Sequence, residues 1–166
     1  MEKFESEVKY ISYPLEVVYG KMADLRNLSV LKERFADPNF QQAAMNVSGG
    51  KVSESQFQSI SEKLQNMQFD EDSVSLDINP VGNITLQIIE RELNKTLKFE
   101  TVNSPVPLNM WIQLLPVSTG GCKMRLTLGA ELNFFIRKMA EKPLREAVEK
   151  IADMLTMIPY GNNLNA

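Results

Sequence analysis

A strict alternation of apolar and polar residues between about Gln65 and Asn133 constrains the fold of this chain most. The alternation occurs in short runs that are separated by turn-forming sequences. Its apolar members include Val74, Leu76, Ile78, Ile84, Leu86, Ile88, Leu97, Phe99, Met124, Leu126 and Leu128. Such a pattern predicts antiparallel strands in a sheet with one apolar face and one solvated face. The apolar face needs a cover from elsewhere in the chain.

The sequence after Asn133 predicts one long amphipathic helix from about Phe134 to Ile158. Its apolar stripe is formed by Ile136, Met139, Ala140, Leu144, Val148, Ile151, Leu155 and Ile158. On the opposite face, Glu141 with Arg145 and Glu146 with Lys150 have the i, i+4 spacing of helical ion pairs. Pro143 should kink this helix or split off its first turns, because its ring clashes with the preceding turn. The helix can cover the apolar face and leave a hollow between them.

The first third of the chain predicts a strand followed by helices. The run from Phe4 to Tyr13 alternates as one strand, with Val8 and Tyr10 on the same face as Phe4. Two short helices follow Pro14, and Asp24 is a suitable N-cap for the second. The apolar residues of the segment 36–52 follow no firm period. A further helix is predicted near 53–64. The last residues, 160–166, are predicted to be a frayed tail.

Composition narrows the class of protein. The 166 residues predict one domain over 1–166, and the net charge of -3 gives no electrostatic footprint for nucleic acid. No apolar run is long enough to span a bilayer, and the first seven residues lack the apolar core of a secretory signal. The single cysteine, Cys122, excludes an internal disulfide. These features together predict a cytoplasmic protein.

The chain contains no histidine, which limits the chemistry it can perform. Serine–histidine and cysteine–histidine catalysis, imidazole general bases and the usual zinc ligand sets are excluded. The one dense acidic cluster, Asp70-Glu71-Asp72, lacks the ligand spacing of a calcium loop and is interpreted as a solvated turn. The lack of histidine leaves carboxylate sites for magnesium or calcium open. Without a suitable ligand pattern, we predict no catalytic residue, no metal ligand and no cofactor site.

Several local features resemble the START-like superfamily, also called SRPBCC. They are Tyr13-Pro14, the helix sequence Leu15-Glu16-Val17-Val18-Tyr19, the Asp24-Leu25 pair and, in the terminal helix, Pro143-Leu144. This superfamily includes the birch-pollen allergen fold, lipid-transfer START domains and polyketide aromatase/cyclases. The resemblance implies an α+β helix-grip fold, in which a seven-stranded antiparallel sheet wraps a long C-terminal helix and two short helices support it. The chain departs from that pattern between about Ala36 and Glu62.

Members of this superfamily often hold an apolar ligand between sheet and helix, which implies a ligand cavity here. The candidate lining residues are Leu76, Ile78, Leu86, Ile88, Glu90, Leu97, Phe99, Thr101, Trp111, Met124, Leu126, Leu128, Leu144, Val148, Ile151 and Leu155. The competing interpretation is that these side chains simply fill a core. An empty void of roughly 300 Å³ would cost about 7 kcal/mol at about 24 cal/mol per Å³. A large pocket should therefore be occupied, hydrated or partly collapsed, and nine methionines favour collapse.

A few polar and aromatic residues leave the interpretation open. Trp111 could stack on a ligand at the cavity mouth or cover a sheet edge, because Met110, Ile112 and Leu114 compete with it for the inner face. Glu90 continues the inward register of Ile88, so a carboxylate in an apolar mouth could act as a general acid or base.

The main hypothesis is a non-enzymatic protein that binds a small hydrophobic molecule, such as a lipid or an aromatic or polyketide-like compound. An enzyme of the polyketide cyclase or dehydratase type is the alternative, with Glu90, Arg91 and Tyr10 as its first candidate residues. A further alternative is a protein–protein adaptor whose core is filled and whose working surface is the segment 36–62. An exposed apolar patch on that segment would favour the adaptor.

Overall fold

The structure is a computed structural model. It describes residues 1–47, 54–78, 82–104, 106–158, 160 and 161, without the side chains of residues 44–47, 56 and 78. The predicted cavity side chain of Ile78 therefore lies outside the described residues. No helix in the described ranges is long and apolar enough to cross a membrane.

An eight-stranded antiparallel sheet forms the larger layer of the molecule. Its strands are β1 (Glu2–Glu5), β2 (Lys9–Ile11), β3 (Gln68–Phe69), β4 (Ser73–Ile78), β5 (Gly82–Glu92), β6 (Thr96–Val102), β7 (Leu108–Pro116) and β8 (Cys122–Ala130). The order across the sheet is β1-β8-β7-β6-β5-β4-β3, and β2 also pairs with β8. The predicted period-two runs thus become consecutive hairpin strands, as the alternation requires. Their apolar residues face one side and form the core.

The opening strand is divided in two, which makes eight strands where seven were predicted. Residues 6–8 lie opposite only two residues of β8, so the strand carries one extra residue there. Ser6 holds this bulge, because its backbone N–H donates to the Leu126 carbonyl at 2.8 Å and its Oγ accepts from the Leu126 N–H at 3.0 Å. A one-residue insertion reverses the faces. The prediction that Val8 and Tyr10 share the face of Phe4 is therefore wrong: Phe4 is buried, and Tyr10 is 72% exposed.

Five α-helices and one 3-10 helix are described. They are α1 (Leu15–Met22), the 3-10 helix (Leu25–Ser29), α2 (Val30–Ala36), α3 (Pro38–Val47), α4 (Glu54–Gln65) and α5 (Phe134–Thr156). The predicted cap is confirmed, since the Asp24 carboxylate accepts the Arg26 N–H at 3.1 Å. The helix predicted near 53–64 is confirmed as α4. Helix α3 was not predicted, because its sequence has no firm apolar period.

Helix α5 packs along the apolar face of the sheet, which confirms the predicted helix-grip arrangement. Asn133 caps its first turn, since its Oδ1 accepts the Ile136 N–H at 2.9 Å. Its buried stripe is formed by Ala140, Leu144, Val148, Ala152, Met154 and Leu155. The helix is continuous through Pro143, so the predicted possibility of a split is wrong. Proline removes one of many backbone hydrogen bonds here, while the buried stripe on both sides of it stays packed.

A charge cluster holds β2 against α5. Lys9 Nζ lies 2.9 Å from an Asp153 carboxylate oxygen and 3.0 Å from one of Glu149. Burial by itself lowers the pKa of Lys9, but the hydrogen bonds and charges of these two carboxylates raise it overall. The Glu7 N–H also donates to Glu149, at 2.7 Å. These contacts fix the edge of the sheet against the second half of the helix.

The chain after α5 returns to the core rather than fraying at once. Tyr160 is 1% exposed, its hydroxyl donates to the Leu155 carbonyl at 2.6 Å, and its ring packs edge-on against Tyr13 with centroids 6.0 Å apart. Burial raises the pKa of this hydroxyl well above its usual range. The prediction that the frayed tail starts at residue 160 is therefore wrong for this tyrosine.

Candidate functional site

An entirely apolar cavity lies between the sheet, α5 and the short helices. The centre of a water-sized sphere can occupy about 40 Å³ of this cavity. Its lining consists of Leu25, Leu28, Leu31, Leu64, Met67, Phe69, Val74, Leu76, Leu86, Phe99, Met110, Ile112, Ile151, Met154 and Leu155. Among the described residues, no buried polar side-chain atom lacks a hydrogen-bond partner. Nothing polar in the described lining is thus left to react with, or to orient, a guest inside this cavity.

The sheet provides one wall of the cavity because its registers align the apolar faces of neighbouring strands. Phe99 on β6 lies opposite Met110 on β7, and Leu86 on β5 lies opposite Thr101 on β6. Phe99 is fully buried at the centre of this wall. Residues two apart along a strand face the same side, so the alternation in the sequence produces this wall directly.

The short helices provide the opposite wall and are tied to their neighbours by backbone contacts. The N–H of Leu25 donates to the Glu71 carbonyl at 3.1 Å, which holds the 3-10 helix against the turn before β4. The side-chain amide of Gln65 donates to the Lys32 carbonyl at 2.9 Å, which joins α4 to α2. These two links place the leucines of the helices over the sheet.

The cavity is much smaller than a ligand site of about 300–1,000 Å³. At about 24 cal/mol per Å³, a void of this size costs only about 1 kcal/mol, so the fold tolerates it empty. Three of its lining residues, Met67, Met110 and Met154, are methionines. Their flexible side chains can change rotamer at low cost and widen the space when a guest enters.

The predicted lining residues divide into two groups. Leu76, Leu86, Phe99, Ile151 and Leu155 line the cavity. The others that point inward belong to the surrounding core without lining it; they are Ile88, Leu97, Met124, Leu126, Leu128, Leu144 and Val148. Thr101 is half-buried, and its Oγ1 accepts the Leu108 N–H at 3.0 Å, so its hydroxyl supports the backbone at the strand end.

Trp111 does not line the cavity, so its prediction as a cavity residue is wrong. It lies on the outer face of β7, where Lys3 and Lys98 are 5.4 and 5.7 Å from its ring centroid. Gly129 on β8 leaves room for the ring, because a Cβ there would lie 3.0 Å from it. The register that places Met110 and Ile112 inward turns the residue between them outward.

The prediction that Glu90 points inward is also wrong. The pairing of β5 with β6 shifts by one residue between Ile88 and Glu90, so Glu90 lies opposite Lys98 on the outer face. The same bulge gives the inward position to Arg91. The Arg91 guanidinium donates to the Ala23 carbonyl at 2.9 Å and pairs with Asp72, which anchors β5 to the end of α1.

The structure does not bring the candidate catalytic residues together. Tyr10 is exposed beside the β7–β8 turn, Glu90 lies beside Trp111, and the guanidinium of Arg91 is committed to Ala23 and Asp72. Burial, and then the charge of Glu16, raise the pKa of Cys122, so its thiol stays protonated. Within the described ranges, no cluster of three acidic or cysteine side chains could hold a metal ion.

Ten lining residues were not among the sixteen cavity candidates named above, although Val74 belonged to the predicted apolar face of the sheet. Those on the helices and at the sheet edge are Leu25, Leu28, Leu31, Leu64, Met67 and Phe69, and the rest are Val74, Met110, Ile112 and Met154. The leucines of the helices recur with a helical period in the sequence. This period identifies the apolar face of each helix, but it does not identify the element against which that face packs. For β7, the sequence allowed two registers, and Met110 and Ile112 face inward in only one of them.

A second, larger opening adjoins the apolar cavity between α4, β4 and α5. The centre of a water-sized sphere can occupy about 90 Å³ of this opening. It shares Met67, Leu76, Ile151 and Met154 with the cavity. Its remaining lining is more polar and consists of Lys63, Asp77, Pro143, Glu146, Ala147 and Lys150. Because this opening shares four lining residues with the apolar cavity, we refer to it as the polar mouth.

The segment 36–62 turns its described apolar side chains inward. Phe57 is buried and stacks on Phe35 with centroids 4.8 Å apart, and Phe40 packs edge-on against Phe35 at 5.4 Å. No large apolar side chain is exposed among the described side chains of this segment. The exposed apolar residues lie elsewhere, with Phe134 and Phe135 at 66% and 82% exposure. The adaptor surface expected on this segment gains no support from its described part.

Comparison with known proteins identifies the fold. No family model matches the chain, and no curated protein matches its sequence. A START superfamily protein from Mycobacterium smegmatis has a TM-score of 0.56 at 8% identity, over 93% of this chain and 94% of that one. A protein from Mesorhizobium loti has a TM-score of 0.56 at 13% identity, over 98% and 99% of the two chains. One from Thermus thermophilus has a TM-score of 0.53 at 15% identity, over 98% and 100%. These likenesses concern the fold alone.

Proposed function

We propose, starting from the START-like helix-grip fold of this chain, that it binds a small hydrophobic molecule between the curved sheet and α5. The observation that carries the proposal is the lining of the cavity, which is apolar on every side. An apolar guest gains about 25 cal/mol for each Å² of apolar surface removed from water. The lining offers such a guest contacts from five strands and from the helices.

The proposed ligand enters by widening a cavity that is contracted when empty. Met67 and Met154 line both the cavity and the polar mouth, so changes in their rotamers open one space into the other. The occupied, wider form is then a minor state of the free protein that the ligand stabilises. The contracted form avoids most of the cost of a large dry void.

Binding without catalysis is the form of the proposal that the site supports best. A cyclase or dehydratase needs polar groups that converge on a reacting atom, and Tyr10, Glu90 and Arg91 lie in three separate places. We propose the cytoplasm as the compartment, because the single cysteine, Cys122, is buried as a free thiol. The net charge of -3 favours a small-molecule partner over nucleic acid.

Filling the cavity should weaken ligand binding strongly. Leu86 lines the cavity and is 1% exposed, so the bulkier ring of Leu86→Phe occupies the space that a guest needs. We expect the affinity for a polarity-sensitive apolar fluorophore, measured by fluorescence titration, to fall at least about tenfold. Circular dichroism on the same sample reports whether the variant is folded.

The neighbouring residue offers a matched control for this test. Gln87 is exposed on the other face of the same strand, so Gln87→Phe adds the same ring outside the cavity. We expect this variant to bind the fluorophore as the parent does. Equal losses in both variants, or a folded Leu86→Phe protein with unchanged affinity, would place binding elsewhere and contradict the proposal.

A further inference from the structure

Two lysines from different helices flank the polar mouth of the cavity. Lys63 lies in the last turn of α4, and Lys150 lies in the second half of α5. Both line the mouth together with Met67, Leu76, Ile151 and Met154, which also line the apolar cavity. A molecule whose apolar part fills the cavity can therefore place its end between these ammonium groups.

Within the described part of the chain, neither lysine forms a salt bridge with a carboxylate. The spacing of Glu146 and Lys150 predicts an ion pair, yet only the other pair of this spacing, Glu141 with Arg145 at 3.0 Å, is formed. Across the described residues, no carboxylate lies within salt-bridge distance of Lys63 or Lys150. Both cations thus remain available to an anion at the mouth.

The two positive charges disfavour one another. Burial lowers the pKa of Lys63. The charge of the Lys150 ammonium and a contact with it lower this pKa further, whereas the charge of Glu146 raises it. Two like charges beside an apolar cavity are an unfavourable arrangement unless an anion joins them. An anionic group between them would relieve the repulsion and form charge-assisted hydrogen bonds with both.

The two acidic residues of the mouth limit what fits there. Asp77 already accepts a hydrogen bond from the Asn83 side-chain amide at 3.0 Å. Glu146 is exposed on α5 and shares the rim with Lys63 and Lys150. The negative charges of these two carboxylates repel a polyanion, so the mouth suits a head with one negative charge better.

We propose that the ligand is an amphipathic acid, with an aliphatic chain in the apolar cavity and one carboxylate held between Lys63 and Lys150. This inference rests on the proposed function, because it assigns the head group of the molecule that the cavity binds. The apolar lining selects the chain, and the lysines select the charge of its end. A neutral ligand with the same chain should bind more weakly, since it leaves the lysines unpaired.

The test compares dodecanoate with dodecanol, which has the same chain length and no charge. Isothermal titration calorimetry should show that the parent protein binds dodecanoate at least about tenfold more tightly than dodecanol. In the variant Lys63→Gln/Lys150→Gln, the affinity for dodecanoate should fall to that for dodecanol, and the affinity for dodecanol should not change. The selective loss separates a head-group contact from a general disturbance of the site.

The control variant Lys95→Gln/Lys123→Gln removes two charges from a separate groove that both residues line. It should bind dodecanoate like the parent. If dodecanol binds but the two mouth lysines do not affect dodecanoate, or if their removal weakens both ligands equally, the inference is wrong and the proposed function stands. If the parent protein binds neither ligand, the proposed function fails as well.

Discussion

A single aspartate at position 148 should remove a large part of the stability of this protein at 25 °C. Val148 is 0% exposed in the middle of α5, where the helix faces the apolar side of the sheet. A carboxylate there would be buried away from water. We expect Val148→Asp to lower the free energy of unfolding by about 4 kcal/mol or more, out of about 5–15 kcal/mol for a typical domain. Urea denaturation followed by circular dichroism measures this loss.

The exposed face of the same helix supplies the control. Lys142 is exposed, so Lys142→Asp introduces the same side chain into water and should change stability by no more than about 0.5 kcal/mol. If Val148→Asp were tolerated as well as Lys142→Asp, α5 would not be packed on the sheet. The cavity between them would then not exist as described.

Truncation of Phe99 should also cause a large loss of stability. Phe99 is 0% exposed at the centre of β6 and lies opposite Ile88 and Met110. Removal of its ring enlarges the apolar cavity, and we expect Phe99→Ala to cost about 3–5 kcal/mol in the free energy of unfolding. Thermal and urea unfolding both report this change.

A small apolar molecule that fills the enlarged cavity should restore part of the lost stability. Toluene at about ten times its dissociation constant should restore about 1.4 kcal/mol to Phe99→Ala, more than it adds to the parent protein. Glu100→Ala, at the next and exposed position, should change stability by no more than about 0.5 kcal/mol. A loss below about 1 kcal/mol for Phe99→Ala, or a rescue no larger than in the parent, would contradict the placement of this ring.

The general architecture could be predicted from the sequence because two periods specify it. A period of two predicted the strands from β4 to β8, and a period of 3.6 predicted α5, so the helix-grip arrangement followed from the need to cover one apolar face. The errors at Tyr10 and Glu90 share one cause. Each follows a one-residue bulge, and a single extra residue reverses every side chain beyond it.

The composition of the cavity could be predicted only in part. The sequence favoured neither register of β7, because Trp111 and Leu115 on one face are as apolar as Met110 and Ile112 on the other. The structure places the tryptophan outside, where two lysines lie against its ring. The leucines of the 3-10 helix and α2 form a wall because of tertiary contacts such as the Leu25 N–H to the Glu71 carbonyl, which no local period encodes.

The polar mouth shows how a correct local pattern can still miss a site. The i, i+4 spacing of Glu146 and Lys150 predicts an ordinary surface pair. Tertiary packing instead places Lys150 at the mouth with Lys63, which lies 87 positions earlier in the chain. Contacts between residues so far apart in sequence are invisible to a single sequence that is read by periodicity.

Methyl NMR on protein labelled with [methyl-¹³C]methionine tests the central claim most directly. Met67, Met110 and Met154 line the apolar cavity, whereas Met124 is buried outside it and Met139 is 51% exposed. Titration with dodecanoate should shift the methyl signals of the three lining methionines and leave those of Met124 and Met139 unchanged. Unchanged signals for all three, or shifts confined to Met139, would contradict a ligand site between the sheet and the C-terminal helix.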